Sequence, residues 1–383
     1  MIFLKIYELK LVNFRNYSKL SIKFNNNVNI IIGKNAQGKT NILESIYMLA
    51  ITKSHRLIKE TNIIKEGQKK FIIEGHIKKG QINKTLKLNY QEKLKEIFIN
   101  KTKINKISDY IGNFNIIMFT PDDLEIVKGS PNVRRNLLNI EISQINKNYL
   151  KIYNEYNKIL KTRNEYLKIL YTNSLSDKRY LDILTDKLIE RAIIIYKNRY
   201  EFIDKINSNI TTIYNEITNF TDLKINYITN IEIFNKKDFN DETIKRNLLD
   251  KFKKNYKKEL MYGTTLYGPH RDDFLFNFKG NDLKIYGSQG QQRLAIIAFK
   301  LSEIPIFLEA TGYKPILLLD DIFSEIDKFK KNKLIKFINN DMQVIITTTD
   351  LVNINKKLLV GANIYKIDEG KIVIKGETNN GKK

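Results

Sequence analysis

The sequence predicts an α/β fold, in which a mixed sheet with a phosphate-binding loop is joined to a mainly helical second lobe. Three observations point to it. Val28-Asn29-Ile30-Ile31-Ile32 is an apolar run of strand length, and a glycine-bounded loop and a helical pattern follow it at once. Residues 3–24 and 71–100 alternate apolar and polar, as paired antiparallel strands do. From Arg134 to about Tyr256 the chain has almost no Gly or Pro, and Tyr, Leu and Ile recur every three or four residues.

The loop is Gly33-Lys34-Asn35-Ala36-Gln37-Gly38-Lys39-Thr40, a G-x-x-x-x-G-K-T motif between strand and helix. Glycines let backbone N–H groups close around phosphate oxygens, and the helix start adds a positive field. Lys39 is placed to reach the β- and γ-phosphates of ATP, and the Thr40 hydroxyl to sit on Mg²⁺.

A chain of 383 residues accommodates one large or two ordinary domains. The expected division is an ATPase domain of residues 1–118 and 262–383 around a helical lobe of residues 119–261. There is no cysteine, so no disulfide framework or thiolate metal site, which suits a reducing cytoplasm. The start resembles an amphipathic strand rather than a signal peptide, and no run approaches the ~18 apolar residues of a membrane span. The net charge of +24 suggests a polyanionic partner, DNA above all, although the Lys, Asn, Ile and Tyr richness is also what an AT-rich genome produces. Arginine is scarce: 15, 56, 134, 135, 163, 179, 191, 199, 246, 271 and 293. Where Lys is the default cation, an Arg suggests a need for the bidentate fork, as on phosphate.

In chain order, two strands flank Asn13-Phe14-Arg15-Asn16-Tyr17, and the loop and its helix follow. A basic turn holds Ser54-His55-Arg56. A helix begins at Pro121-Asp122-Asp123-Leu124 and breaks at Gly129 and Pro131. Two or three long helices, with a short strand near residues 221–227, fill the middle. Strand-like alternation resumes at residues 274–278 and 283–285, and Gly287-Ser288-Gln289-Gly290-Gln291-Gln292-Arg293 opens an apolar helix. Two core strands (315–319 and 343–349), two final strands and a soft tail from Gly376 close the chain.

Leu317-Leu318-Leu319-Asp320 supplies the carboxylate that a phosphate loop needs on a neighbouring strand to hold Mg²⁺. Asp321 is placed to orient or deprotonate a water. Ser288, Gly290 and the helix start at Gln291 form a second anion-binding surface. The three histidines, His55, His76 and His270, share no metal-ligand spacing.

The stretch 287–293 resembles the signature motif of ABC-type ATPases, which implies that it caps the γ-phosphate held by an opposing subunit. Asp327 matches the aspartate that crosses such a dimer interface. Taken together, Asn13-Phe14-Arg15-Asn16-Tyr17, residues 33–40, Ser54-His55-Arg56, Pro121-Asp122-Asp123-Leu124, Lys128-Gly129-Ser130-Pro131, Arg134-Arg135, Gly268-Pro269-His270-Arg271-Asp272-Asp273 and residues 288–293 and 318–327 resemble the RecF family of bacterial DNA replication and repair proteins.

The resemblance implies an ABC-type ATPase head and an ATP-dependent homodimer that binds DNA and is released by slow hydrolysis. It also implies work with RecO and RecR to load RecA at single-strand gaps. Two departures from the wider class stand out. Asp321 replaces the usual glutamate base, and no switch histidine follows the strand at 344–347, where Thr349 or Asp350 is the available substitute. Arg271 is open to two readings, a phosphate or dimer contact or part of a structural turn. The competing functions are another ABC-class ATPase (a transporter motor or translation factor) and a non-enzymatic docking scaffold. The former would keep the histidine or carry two cassettes; the latter would not need Lys39, Thr40 and Asp320.

Overall fold

The structure is a computed structural model that describes residues 4–24, 27–56, 60–173, 177–232, 237, 239–338, 341–351, 354 and 356–377. In chain order its strands are β1 (Leu4–Phe14), β2 (Tyr17–Lys23), β3 (Val28–Ile32), β4 (Lys70–Lys79), β5 (Ile82–Gln91), β6 (Leu94–Ile99), β7 (Thr102–Ile104) and β8 (Ile116–Phe119). They continue as β9 (Leu223–Ile228), β10 (Asp273–Phe278), β11 (Asn281–Asp282), β12 (Ile316–Asp320), β13 (Val344–Thr348), β14 (Asn363–Asp368) and β15 (Lys371–Glu377). The chain forms two compact units. The first comprises Met1–Leu124, Thr212–Thr221 and Arg293–Lys383, and the second Glu125–Thr211 and Asp222–Gln292.

The first unit holds two six-stranded sheets. One is antiparallel in the order β2-β1-β4-β5-β6-β7, as the alternation of residues 3–24 and 71–100 predicts. The other is mixed, β15-β14-β3-β13-β12-β8, and its strands from β14 to β8 run parallel. Of these, β3, β13, β12 and β8 are buried almost throughout, which explains their mostly apolar sequences, whereas β14 alternates buried with partly or fully exposed positions. The helix Lys39–Ile51 packs against strands of both sheets and is buried at all but two positions. Gly75 in β4 makes room for it, since a Cβ there would lie 2.2 Å from Leu49 Cδ2. Gln343 ties the sheets together: its amide accepts from Ile6 N–H and donates to Ile6 C=O, both at 2.8 Å, beside the bulge in β1.

The second unit is built on the helices Pro131–Ile145, Lys147–Thr172 and Asp241–Tyr262, on residues 178–211 of the helix Lys178–Thr218, and on the small sheet β11-β10-β9. Sequence periodicity suggested two or three long helices. Asn146 makes an extra break, its side chain capping the next helix through Tyr149 N–H. The strand-like reading of residues 283–285 is corrected: Leu283–Tyr286 is a helical turn capped by Asp282. Residues 262–292, assigned to the ATPase domain from sequence, pack within the second unit because buried arginines draw them in. The Arg163 guanidinium donates to Glu259 Oε2 (2.7 Å), Thr265 Oγ1 (2.8 Å) and Thr185 Oγ1 (2.9 Å). Arg199 donates to Pro269 C=O (2.6 Å), Asn139 Oδ1 (3.0 Å) and Asp272 Oδ2 (3.3 Å). Of the soft tail, residues 378–383 lie outside the described residues.

Arg163 and Glu259 are 2 % and 0 % exposed, so removing one partner strands the other charge out of water. Glu259→Ala is expected to cost about 3–5 kcal/mol in urea unfolding. The double change Arg163→Met with Glu259→Leu recovers most of that loss, and equal stability of Glu259→Ala and the parent would refute the assignment.

Candidate nucleotide site

The phosphate loop leaves the C-terminal end of β3, where parallel α/β sheets bind ligands. Ala36 (φ 64°) and Gly38 (φ 104°) adopt left-handed backbone, so the loop turns back sharply into the helix Lys39–Ile51. Its outer side is packed tightly. A Cβ on Gly38 would lie 2.7 Å from Tyr17 Oη, and one on Gly33 2.6 Å from Ile367 C=O. Tyr17 Oη donates to Gly38 C=O (3.0 Å), Asn16 Nδ2 donates to Gln37 C=O (3.2 Å), and Gln37 Oε1 accepts from Glu369 N–H. The stretch Asn13-Phe14-Arg15-Asn16-Tyr17 is therefore a brace for the loop.

Lys39 is buried, and its Nζ donates to Gly33 C=O (2.6 Å) and Lys34 C=O (2.8 Å), spanning the loop's mouth. Burial lowers its pKa, while Asp321 and Asp320 act to raise it. Lys34, Asn35 and Ala36 are exposed at the crest.

Asp320 ends β12 and is 6 % exposed. The sheet register sets Asp320 opposite Thr347 of β13, and Thr347 opposite Ile31 of β3. Thr40 Oγ1 (2.9 Å) and Thr347 Oγ1 (2.6 Å) both donate to Asp320 Oδ1. Burial raises the carboxyl pKa against the lowering effect of these two bonds. Asp321 follows in left-handed backbone (φ 49°, ψ 23°), and its N–H donates to Thr347 Oγ1 (3.1 Å) and Thr347 C=O (3.2 Å).

These residues fit the groups that the motif implies. Thr40 and Asp320 offer hard oxygens at one point, as Mg²⁺ bound mainly through phosphates requires. The loop's backbone and the Lys39 amine would supply a cradle for a triphosphate.

Thr347 went unnoticed in the sequence, where Thr349 and Asp350 were the alternatives to a histidine. Thr349 is exposed beyond the strand, whereas Thr347 touches both acidic residues. The signal that could have found it is the polar end of an otherwise apolar core strand. Glu44 was also missed. Fully buried in the first helix, it accepts from Arg15 Nε (2.9 Å) and Nη2 (2.7 Å) and from Ser54 Oγ (2.6 Å), and Arg56 lies 3.9 Å away. Glu44 thus fixes Arg15 and the turn of residues 54–56.

The reading of scarce arginines as phosphate forks is corrected in three places. Arg15 grips Glu44, Arg134 grips Asp273 bidentately (2.6 and 2.8 Å), and Arg135 donates to Asp272 C=O (2.7 Å). Within residues 268–273, His270 lies against Tyr156 Oη (2.6 Å) and Thr265 C=O (3.1 Å), a structural turn, while Arg271 remains exposed.

The other candidates have local partners of their own. Ser288 and Gln291 cap the helix Gln289–Thr311 reciprocally: Ser288 N–H donates to Gln291 Oε1 (2.9 Å), and Gln291 N–H to Ser288 Oγ (3.3 Å). Ser288 and Gly290 are exposed, and a Cβ on Gly290 would meet nothing within 4 Å. They belong to the second unit. Asp327, exposed in the first, caps the helix Lys328–Ile335 through Lys330 N–H (3.0 Å) and pairs with Lys330 Nζ (2.7 Å).

A phosphate loop on a mixed sheet, an aspartate one strand removed from the loop's strand rather than on its immediate neighbour, and a serine–glycine helix start define an ATP-binding head of the ABC/SMC class. The RecF/RecN/SMC N terminal domain family matches residues 5–371. The chain is 38% identical over 366 residues to the DNA replication and repair protein RecF of Oceanobacillus iheyensis, covering 95% of this chain and 99% of that protein. With RecF of Lactobacillus gasseri it shares 40% over 374 residues, 97% and 99% of the two chains. A solved structure of the recombination mediator protein RecF with ATP, in the RecFOR pathway, superposes with a TM-score of 0.89 at 33% identity over 97% of each chain. An Smc head from Pyrococcus furiosus shares the fold at a TM-score of 0.52 and 15% identity. The chain belongs to the RecF family of DNA replication and repair proteins.

Two outcomes follow from this geometry. Thr347→Val removes a donor to Asp320 and an acceptor for Asp321 N–H, which is expected to cost about 1–3 kcal/mol in urea unfolding and to lower ATP turnover. Thr347→Ser restores both, and a silent Thr347→Val refutes the role. Burial also depresses the pKa of His55 to about 4 from 6.5. Below pH ~6.5 the unfolded chain binds a proton that the folded chain refuses, so stability falls as the pH drops towards 4. The loss is up to about 3 kcal/mol, and His55→Asn flattens that part of the pH profile of the melting temperature.

Proposed function

We propose that the chain is an ATP-switched DNA-binding protein of recombinational repair and replication restart. The observation that carries this reading is one complete triphosphate cradle together with an exposed, capped helix start at Ser288, Gly290 and Gln291 that no nucleotide site in the chain requires. In the ATP state, residues 33–40 of one subunit face residues 288–293 of a second copy, and Asp327 crosses the interface. Ile285 and Tyr286, 70 % and 72 % exposed beside the helix start, supply apolar surface for that contact.

Thr40 and Asp320 would hold Mg²⁺, which would neutralise phosphate charge there. Lys39 exchanges its carbonyl partners for phosphate oxygens, and Thr347 holds Asp320 and Asp321 in place. Asp321 orients the attacking water; its short side chain suits a slow, weakly DNA-stimulated ATPase that acts as a timer. The dimer binds single- and double-stranded DNA at gaps through phosphate contacts, and hydrolysis releases it. With RecO and RecR it helps load RecA and supports the SOS response in the cytoplasm. Among the described residues no helix is long and apolar enough to cross a membrane.

Light scattering on apo, ATP–Mg²⁺ and ADP samples, each with and without gapped duplex, tests this reading. A dimer is expected with ATP only, strengthened by DNA, persistent in Asp321→Asn and absent in Lys39→Met. A monomer under every condition sinks it.

A further inference from the structure

The helix Lys147–Thr172, in the second unit, buries Tyr149, Ile152, Tyr156, Arg163, Leu167 and Leu170. At about 100° per residue these positions fall within a sector of about 60°, so the helix has one inner side. Away from that seam, Lys147, Lys151, Asn154, Lys158, Lys161 and Glu165 follow one another at steps of four, three, four, three and four residues, and all are exposed. They fill a second sector of about 80°, centred about 170° round the helix from the seam. The four lysines therefore share one face, spread along about 21 Å of axis. The one carboxylate in the row, Glu165, stands at its end, 3.9 Å from Lys161, and Glu155 on the flank is held by Arg191 at 2.9 Å.

Composition does not account for this stripe. The helix Lys178–Thr218 is drawn from the same lysine-rich chain. From residue 182 to 201 its exposed charges are nonetheless Asp182, Asp186, Lys187, Glu190, Lys197 and Glu201, four acids to two lysines. The charge is sorted by helix.

What lies between the lysines selects the partner. From residue 147 to 165 the exposed positions are Lys, Asn and Glu only. Unstacked bases find no ring there to lie on, and a protein partner finds no apolar anchor. A duplex backbone needs neither, since each strand offers a phosphate every ~3.4 Å, about six per strand along the stripe. Lysine, a point charge on a flexible stem, suits phosphates that are held without regard to sequence.

We infer that the outer face of the helix Lys147–Thr172 is a track for the phosphate backbone of double-stranded nucleic acid, contacted by Lys147, Lys151, Lys158 and Lys161. This rests on the DNA-binding reading above and deepens it by naming the surface and the strand form that it takes.

The test uses the full chain with ATP–Mg²⁺, a fluorescent blunt duplex, an oligo-deoxythymidine of equal length and poly-glutamate. Lys147→Gln, Lys151→Gln, Lys158→Gln and Lys161→Gln together are expected to lower the slope of log affinity against log salt for the duplex by about 3.6. The same change weakens duplex binding at least about ten-fold at low salt. Arginine at all four positions keeps the charge and restores both. Acetylation of the unaltered chain, read by peptide mass, needs no variant to fold: the duplex protects the four lysines and leaves Lys187 reactive. An unchanged duplex slope in the glutamine variant, or no protection of the four lysines, overturns the track while duplex binding as such stands. A loss confined to the oligo-deoxythymidine or to poly-glutamate overturns it as well. If the unaltered chain binds no duplex at all, the DNA-binding reading fails with it.

Discussion

The nucleotide site depends on one carboxylate oxygen. Asp320 Oδ1 receives a hydroxyl from the first turn of the loop's helix and another from the strand between the loop and the aspartate. Because β13 is inserted between β3 and β12, Thr347 is in register with both neighbours and can act as the spacer that sets loop against carboxylate. The same hydroxyl accepts the Asp321 N–H and so holds the left-handed turn that aims the second acid. A donor is needed there because a buried carboxylate without partners would take up a proton and lose its value to a cation.

What the sequence showed plainly were features with a fixed local period or spacing. The loop at residues 33–40, the apolar strands with Asp320 at one end, the antiparallel first hundred residues and the helical middle are of this kind. What it concealed were side chains whose partners lie far along the chain. Thr347 sits 27 residues from Asp320, and Glu44 looks like an ordinary surface position of a helix until two sheets close over it. The arginines misled for the same reason. Scarcity signalled correctly that a guanidinium fork was needed, but several forks close on the protein's own carboxylates, whose burial no spacing rule reveals.

The second unit shows how such groups can be specified. Arg163 and Arg199 are nearly inaccessible, and their donors meet hydroxyls, carbonyls and carboxylates from helices and from the turn at residues 268–273. A buried charge of this kind contributes little net stability, but it tolerates few alternative packings. The motif Gly268-Pro269-His270-Arg271-Asp272-Asp273 is therefore mainly architectural. Gly268, at φ 133° with Tyr156 Oη where a Cβ would be, could hardly be another residue.

The sheet order also governs the order of events during synthesis. β3 pairs on one side with β13 and on the other with β14, strands that leave the ribosome more than three hundred residues later. At about 5–20 residues per second, the apolar strand that launches the nucleotide loop waits roughly 15–60 seconds with both edges open. A nascent or truncated chain is thus sticky and blind to ATP, and nucleotide can reward only a polypeptide that has been finished. Quality control of this molecule is written into its strand order, since one of the first strands made is among the last to be enclosed.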